Sequence, residues 1–235
     1  MVLSRPGAPS GSGTPFGTGP AGGGPGTGAG SATGGRPTAA GRRAIDTGSA
    51  AVLPSVPRRA LPRSFTVLYI CAANICRSAY AECRSRALVG RRGMTRFASA
   101  GTDGLSPRPM DGPMAAELIA RGGDPSGVFG TRVTPEDLAA VDLVLTMTAR
   151  QRARLLDEAP ASHARVFTLG QFSRAVASAG RRLGPGDLVA WVAARRPPAD
   201  PADDVPDPYG RGPAAAHQAA DLIDEHLLQL LPRLS

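Results

Sequence analysis

The 235-residue chain is uneven: residues 1–50 hold 15 Gly and 6 Pro, and of the formal net charge of +8, seven Arg against Asp46 alone place +6 before residue 64. Such a stretch buries too little apolar surface to offset the entropy of ordering, so residues 1–63 are expected to be a disordered Gly/Pro/Arg-rich tail and the 172 residues from Ser64 to Ser235 one domain with one core, whose net +2 gives no reason to expect a nucleic-acid partner. All 27 basic residues are Arg, which excludes the phosphate-binding lysines of Walker loops and kinases and the Schiff bases of carbonyl cofactors.

Within the tail, Gly17, Gly19 and Gly22 satisfy G-x-G-x-x-G, but no strand precedes them and no helix follows, so the match is read as accidental. From Phe65 onward, short apolar runs alternate with longer helical patterns, the signature of strands joined by crossover helices. Thr66–Ile70 is a predicted buried strand, followed by a helix from Ser78 to about Val89. Thr95–Ala100 is a second strand stopped by Gly101, and a helix runs from about Pro109 to Arg121, closed by Gly122 and Gly123. Asp142–Met147 and Arg165–Leu169 are the third and fourth strands, with a helix over Ala149–Glu158 between them.

The stretch from Ser178 to Asp204 reads as a surface excursion with a helical centre at Leu188–Ala194 around Trp191, and Arg181-Arg182 and Arg195-Arg196 as solvated faces. Trp191 and Phe172 are expected to pack in the core. The last helix is the clearest periodic element: Ala219, Leu222, Ile223, Leu227, Leu230 and Leu231 recur on one face while Asp221, Asp224 and Glu225 face away, with Pro213 in its first turn and Pro232 at its end. The fold class is α/β, a parallel sheet with helices packed on it.

The first strand runs directly into Cys71-Ala72-Ala73-Asn74-Ile75-Cys76-Arg77-Ser78 and then into a helix. Amides of a tight loop and the unpaired N–H groups of a helix start converge on one point and favour a tetrahedral oxyanion there, so phosphate binding is assigned to Ala72, Ala73, Asn74, Ile75, Cys76, Arg77 and Ser78. The same field favours thiolate over thiol and makes Cys71 the expected nucleophile. Arg77 supplies a permanently charged planar fork for two phosphoryl oxygens, Ser78 donates to the sulfur, and Asn74 tolerates the left-handed backbone a tight loop needs. The bland alternative is a buried apolar cysteine beside an unrelated arginine; strand, spacing, Ser and helix together speak against it.

A phenolate, with a parent pKa of about 10, is a reluctant leaving group at neutral pH, so an acid is required. Asp207, stiffened between Pro206 and Pro208, is the candidate general acid and base, and Tyr209 two residues on is placed to contact the substrate ring. Asp200, Asp203 and Asp204 read as solvated loop acids. His163, His217 and His226 show no metal-ligand spacing, so no metal and no cofactor are expected. Cys83 is expected to pack inside the first helix.

The loop CAANICRS after TVLYI, the SAGT at Ser99–Thr102, the DLVLTM strand and the DPYG element together resemble the low-molecular-weight protein tyrosine phosphatase family, over Phe65–Leu234. The resemblance implies a four-stranded parallel sheet with flanking helices on both faces. It also implies a metal-free, cysteine-dependent hydrolase of phosphotyrosine proteins acting through a phosphocysteine, with catalytic Cys71, Arg77 and Asp207. Cys76 matches the family's second loop cysteine, which forms a reversible disulfide with the nucleophile; the other reading, a small apolar residue turned into the core, stays open. The chain departs from the pattern in having Ala73 for Gly, Ala79 for Pro, and Val128 and Thr131 where His and Arg are usual.

Three alternatives share the scaffold. Protein arginine phosphatases favour Thr where Ile75 stands, and thioredoxin-coupled arsenate reductases need cysteines downstream of Cys83, which are absent. A non-catalytic phosphate-binding regulatory module is opposed by the intact Cys, Arg, Ser and Asp set. The bias toward Ala, Gly, Pro and Arg is that of a GC-rich bacterial gene, which makes a bacterial tyrosine kinase an expected partner. Three Cys without a disulfide framework, no apolar run of about 18 residues and an opening MVLSRPGAPSG without a signal core predict no membrane span and a cytoplasmic location.

Overall fold

The computed structural model describes residues 64–90, 93–104, 107–180 and 183–235; the readings made for the tail, its glycine spacing and Arg181-Arg182 lie outside these residues. Four parallel strands, β1 (Thr66–Cys71), β2 (Arg96–Gly101), β3 (Leu143–Thr146) and β4 (Val166–Thr168), form one sheet in the order β2-β1-β3-β4. β1 and β3 are buried almost throughout, as central parallel strands covered on both faces must be. Alternation along β1 sends Val67, Tyr69 and Cys71 into one core layer and Leu68 and Ile70 into the other.

The first layer is closed by α1 (Arg77–Val89), α2 (Gly112–Ala120), α5 (Leu169–Ala177), α6 (Pro185–Arg195) and α7 (Gly212–Leu234), the second by α3 (Pro135–Ala140) and α4 (Ala149–Glu158). From β1 the chain crosses to β2 on one side and later to β3 on the other, so the loop after β1 opens at the point where the winding reverses, the usual place for a ligand in an open α/β sheet.

α2 begins at Gly112, not near Pro109, because the residues ahead of it brace the loop after β1: Asp111 N donates to Ile75 O at 2.8 Å and Pro109 bridges to Phe129. α3 and α5 were not anticipated, although each carries a local signal, a capping box from Thr134 to Asp137 and from Thr168 to Gln171. Phe172 is fully buried and Trp191 packs against the same core, as expected, while α6 contributes Leu188, Val189 and Val192.

Five readings of single residues are corrected. Pro232 lies inside α7, which continues to Leu234. Asp224 does not face solvent: it is buried and accepts from Tyr80 Oη at 3.0 Å, Arg84 Nε at 3.0 Å and Arg121 Nη1 at 3.2 Å, so a cation on α1 and one just past the end of α2 offset its desolvation. Arg196 is no solvated cation but stacks on Phe167 at 4.4 Å and donates to the carbonyls of His163 and, at 3.1 Å, Val166, satisfying the sheet's edge strand. Asp203 pairs with Arg174, and Asp204 accepts the N–H of Ala149 at 2.8 Å, so neither is a free loop acid.

Candidate active site

β1 delivers Cys71 to the carboxyl edge of the sheet, and the chain turns through residues 72–76 into α1. Two devices make the turn possible. Asn74 adopts φ 57°, the sole non-glycine in the left-handed region among the described residues, a conformation that Asn tolerates better than most side chains. Gly101, at the end of β2, lies so close beneath the loop that a Cβ there would stand 2.4 Å from the carbonyl oxygen of Ala72. A strand end without a side chain is what lets the loop settle onto β2.

Asn74 is also the loop's hydrogen-bonding centre. Its Nδ2 donates to Ser78 Oγ at 3.0 Å and Ser99 Oγ at 2.8 Å, and its Oδ1 accepts from Thr131 N at 3.1 Å. Ser99 in turn donates to Glu82 Oε2 at 2.5 Å. Burial pushes the Glu82 carboxyl up, opposed by the hydrogen bond from Ser99 and by Arg86. Ser78 Oγ lies 2.9 Å from Cys71 Sγ, both atoms buried. Thr102 N and Asp103 N donate to the carbonyls of Cys71 and Ala72 at 2.9 and 2.8 Å, fixing the start of the loop. Among the described residues, the N–H groups of residues 72–77 have no protein acceptor. A row of amides left unpaired in so constrained a loop is a row of donors for an anion.

Arg77 is 5% exposed at its side chain and reaches across to a loop 130 residues downstream. Its Nη1 donates to Val205 O at 3.0 Å and its Nη2 pairs with Asp207 Oδ2 at 2.8 Å, while its buried Nε has no partner among the described residues. Asp207 is 53% exposed, and its other oxygen accepts from Tyr209 N at 3.3 Å. Tyr209 is half-exposed at the rim. Arg77, Val205 and Asp207 border a cleft of about 650 Å³ whose walls also include Ala72, Asp103, Arg150 and Asp204.

The sequence-assigned residues therefore meet at one place, with two qualifications. Ile75 and Cys76 turn their side chains inward, leaving their backbone amides as what they can offer a ligand. Cys76 is a free thiol, as are Cys71 and the buried Cys83, and burial, reinforced by Asp111, pushes it up to about 12. Ala73, with its extra methyl, is exposed at the loop's apex. Val128 is buried and Thr131 supplies only its backbone N–H to Asn74. Sequence reasoning missed Glu82, Gly101 and Asp204; Gly101 stood inside the SAGT run, but its contact belongs to another strand and had no local signal.

A family model described as low molecular weight phosphotyrosine protein phosphatase matches residues 66–183. A relative from Ralstonia nicotianae, a probable low molecular weight protein-tyrosine-phosphatase named EpsP, is 28% identical over 171 residues, 72% of this chain and 95% of its own. The crystal structure of a low molecular weight protein tyrosine phosphatase from T. tengcongensis superposes with a TM-score of 0.58 at 25% identity, covering 73% of this chain and all of its own. YwlE arginine phosphatase from Geobacillus stearothermophilus shares the fold at 18% identity, with a TM-score of 0.56 over 72% of this chain and 91% of its own.

Proposed function

The chain belongs to the low molecular weight protein tyrosine phosphatase family, phosphoric monoester hydrolases, and from that premise we propose that Cys71 is the nucleophile, Arg77 the phosphate clamp and Asp207 the general acid and base. The observation that carries the reading is the 2.8 Å pair between Arg77 and Asp207, which sets a carboxyl from the far end of the chain against the end of the loop that begins at Cys71.

The phosphoryl group of a phosphotyrosine protein settles on the amides of residues 72–77. It takes the unpartnered Nε of Arg77 and displaces Asp207 from the guanidinium. Cys71 sulfur attacks phosphorus, the bond to the phenolic oxygen breaks, and Asp207, having taken a proton from solvent once released from Arg77, gives it to that oxygen. Water then attacks the phosphocysteine, Asp207 takes its proton, and the sulfur leaves as a thiolate that accepts a hydrogen bond from Ser78. Tyr209 flanks the ring of the substrate. Every step uses this chain's own residues, and a bacterial tyrosine kinase is among the phosphoproteins it would act on. A cytoplasmic site of action accords with the absence, among the described residues, of a helix long and apolar enough to cross a membrane.

Hydrolysis of phenyl phosphate by the parent chain, Cys71→Ser and Asp207→Asn tests the assignment. Cys71→Ser is expected to lose turnover while still binding vanadate, and Asp207→Asn to slow by ~10²-fold or more, within the range of general acid catalysis. Full activity in either variant removes that residue from its role.

A further inference from the structure

The two sides of the cleft are fastened to one helix. At the start of α4, Ala149 N donates to Asp204 Oδ1 at 2.8 Å. Further along, Arg154 Nη1 donates to Asp103 Oδ1 at 2.5 Å and Nη2 to Thr102 O at 3.4 Å. Thr102 and Asp103 are the residues whose amides hold the carbonyls of Cys71 and Ala72. α4 is itself held to the sheet by its capping box, in which Gln151 Oε1 accepts from both Met147 N and Thr148 N at 3.1 Å. We propose that α4 is a strut that sets the spacing between Asp207 and Cys71, and that Asp204 is the positioning residue that ties the acid loop to it.

Little freedom remains between Asp204 and Asp207 to absorb a shift. Val205 is pinned twice, its N donating to Met147 O at 2.9 Å and its O accepting from Arg77 at 3.0 Å. Pro206 and Pro208 fix their own φ and restrict the residues before them. An anchor at Asp204 is thus transmitted to Asp207 through a stiff tripeptide. Burial pushes the Asp204 carboxyl up, with Asp203 and Asp200 adding to the rise and the Ala149 N–H and Arg77 opposing it. Opposite, Gly170 admits the turn ahead of Asp204: a Cβ on it would stand 2.4 Å from Asp203 Cβ. The inference rests on Asp207 as the acid.

The test is the leaving-group dependence of kcat in the full chain. Asp204→Ala is expected to lose ~10-fold on phenyl phosphate, whose leaving group needs a proton, and under ~2-fold on dinitrophenyl phosphate, whose leaving group does not. Asp204→Asn, which keeps an oxygen for Ala149, is expected to recover most of the loss. The double variant Asp204→Ala/Asp207→Asn should be no slower on phenyl phosphate than Asp207→Asn alone, because the first residue acts through the second. Equal losses on both substrates, no loss at all, or full additivity in the double variant would overturn the strut while leaving Asp207 in its role. A leaving-group-dependent loss in Asp204→Ala with none in Asp207→Asn would overturn both, and make Asp204 the acid.

Discussion

The two walls of the cleft are built in opposite ways. The wall around Cys71 is local: eight consecutive residues, Cys71–Ser78, carry the sulfur, the free amides and the groups we propose as clamp and thiolate partner, and Ser99, Glu82 and Gly101 hold them from below through Asn74 and the loop backbone. The wall that carries Asp207 is remote in sequence, with a pinned backbone and an exposed carboxyl. Asp207 is half-exposed and depends on Arg77, on Val205 and on Asp204 at α4. If the proposed roles hold, binding an oxyanion and protonating a leaving group are separable tasks here, one secured by burial and the other by a few long-range hydrogen bonds. The freedom on this wall lies in the Asp207 side chain, half-exposed on a pinned backbone, which is what the proposed release from Arg77 would need.

Gly101→Ala is the sharpest way to separate the walls. Its methyl group would press on Ala72 and displace the whole loop, so kcat/KM is expected to fall ~10²-fold on phenyl and dinitrophenyl phosphate alike, unlike the selective losses expected at Asp207 and Asp204. A selective loss in Gly101→Ala would erase the distinction.

A smaller effect concerns Glu82 beneath the loop. Because burial raises its carboxyl above the ordinary range, against the pull of Ser99 and Arg86, the folded chain holds that proton more tightly than the unfolded one. The stability it adds is complete below about pH 4.3 and drains away as pH rises through the folded value. Denaturation midpoints measured across that window should therefore flatten in Glu82→Gln, while catalysis on phenyl phosphate changes less than in Gly101→Ala; an unchanged profile would remove Glu82 as the titrating group.

The smallest expected effect is none. Cys76, buried and pushed up to about 12, should stay unmodified when the native chain is treated with iodoacetamide at neutral pH, and peptide mass mapping should find the label on Cys71 in preference. Labelling of Cys76 at a comparable rate would mean that the loop opens far more readily than its hydrogen bonds suggest.

Strand-to-loop-to-helix order made Cys71, Arg77 and Ser78 legible, because residues that work together within one turn leave their spacing in the chain. β1 and β3 were legible for a related reason, since burial on both faces demands an unbroken apolar run. α3 escaped notice because a helix of 6 residues carries little periodicity, and α5 because it follows β4 with no intervening loop; each is marked by its cap. Asp224 and Arg196 were misread because a charge is turned inward by partners on other elements, Arg84 and Arg121 for the one, Val166 and Phe167 for the other, and no local pattern announces them.

Read alone, the amino-acid order determined the parallel α/β class and the strand-loop-helix unit that carries Cys71, Arg77 and Ser78, from which the proposed oxyanion site and its proline-flanked aspartate follow. Only the tertiary structure decided that Asp207 reaches Arg77, that Gly101 makes room for the loop and that Asp204 is tied to α4. The reason is physical: backbone preference and hydrophobic periodicity act over a few residues, whereas a hydrogen bond between residues far apart in the chain exists only after the sheet has brought them together.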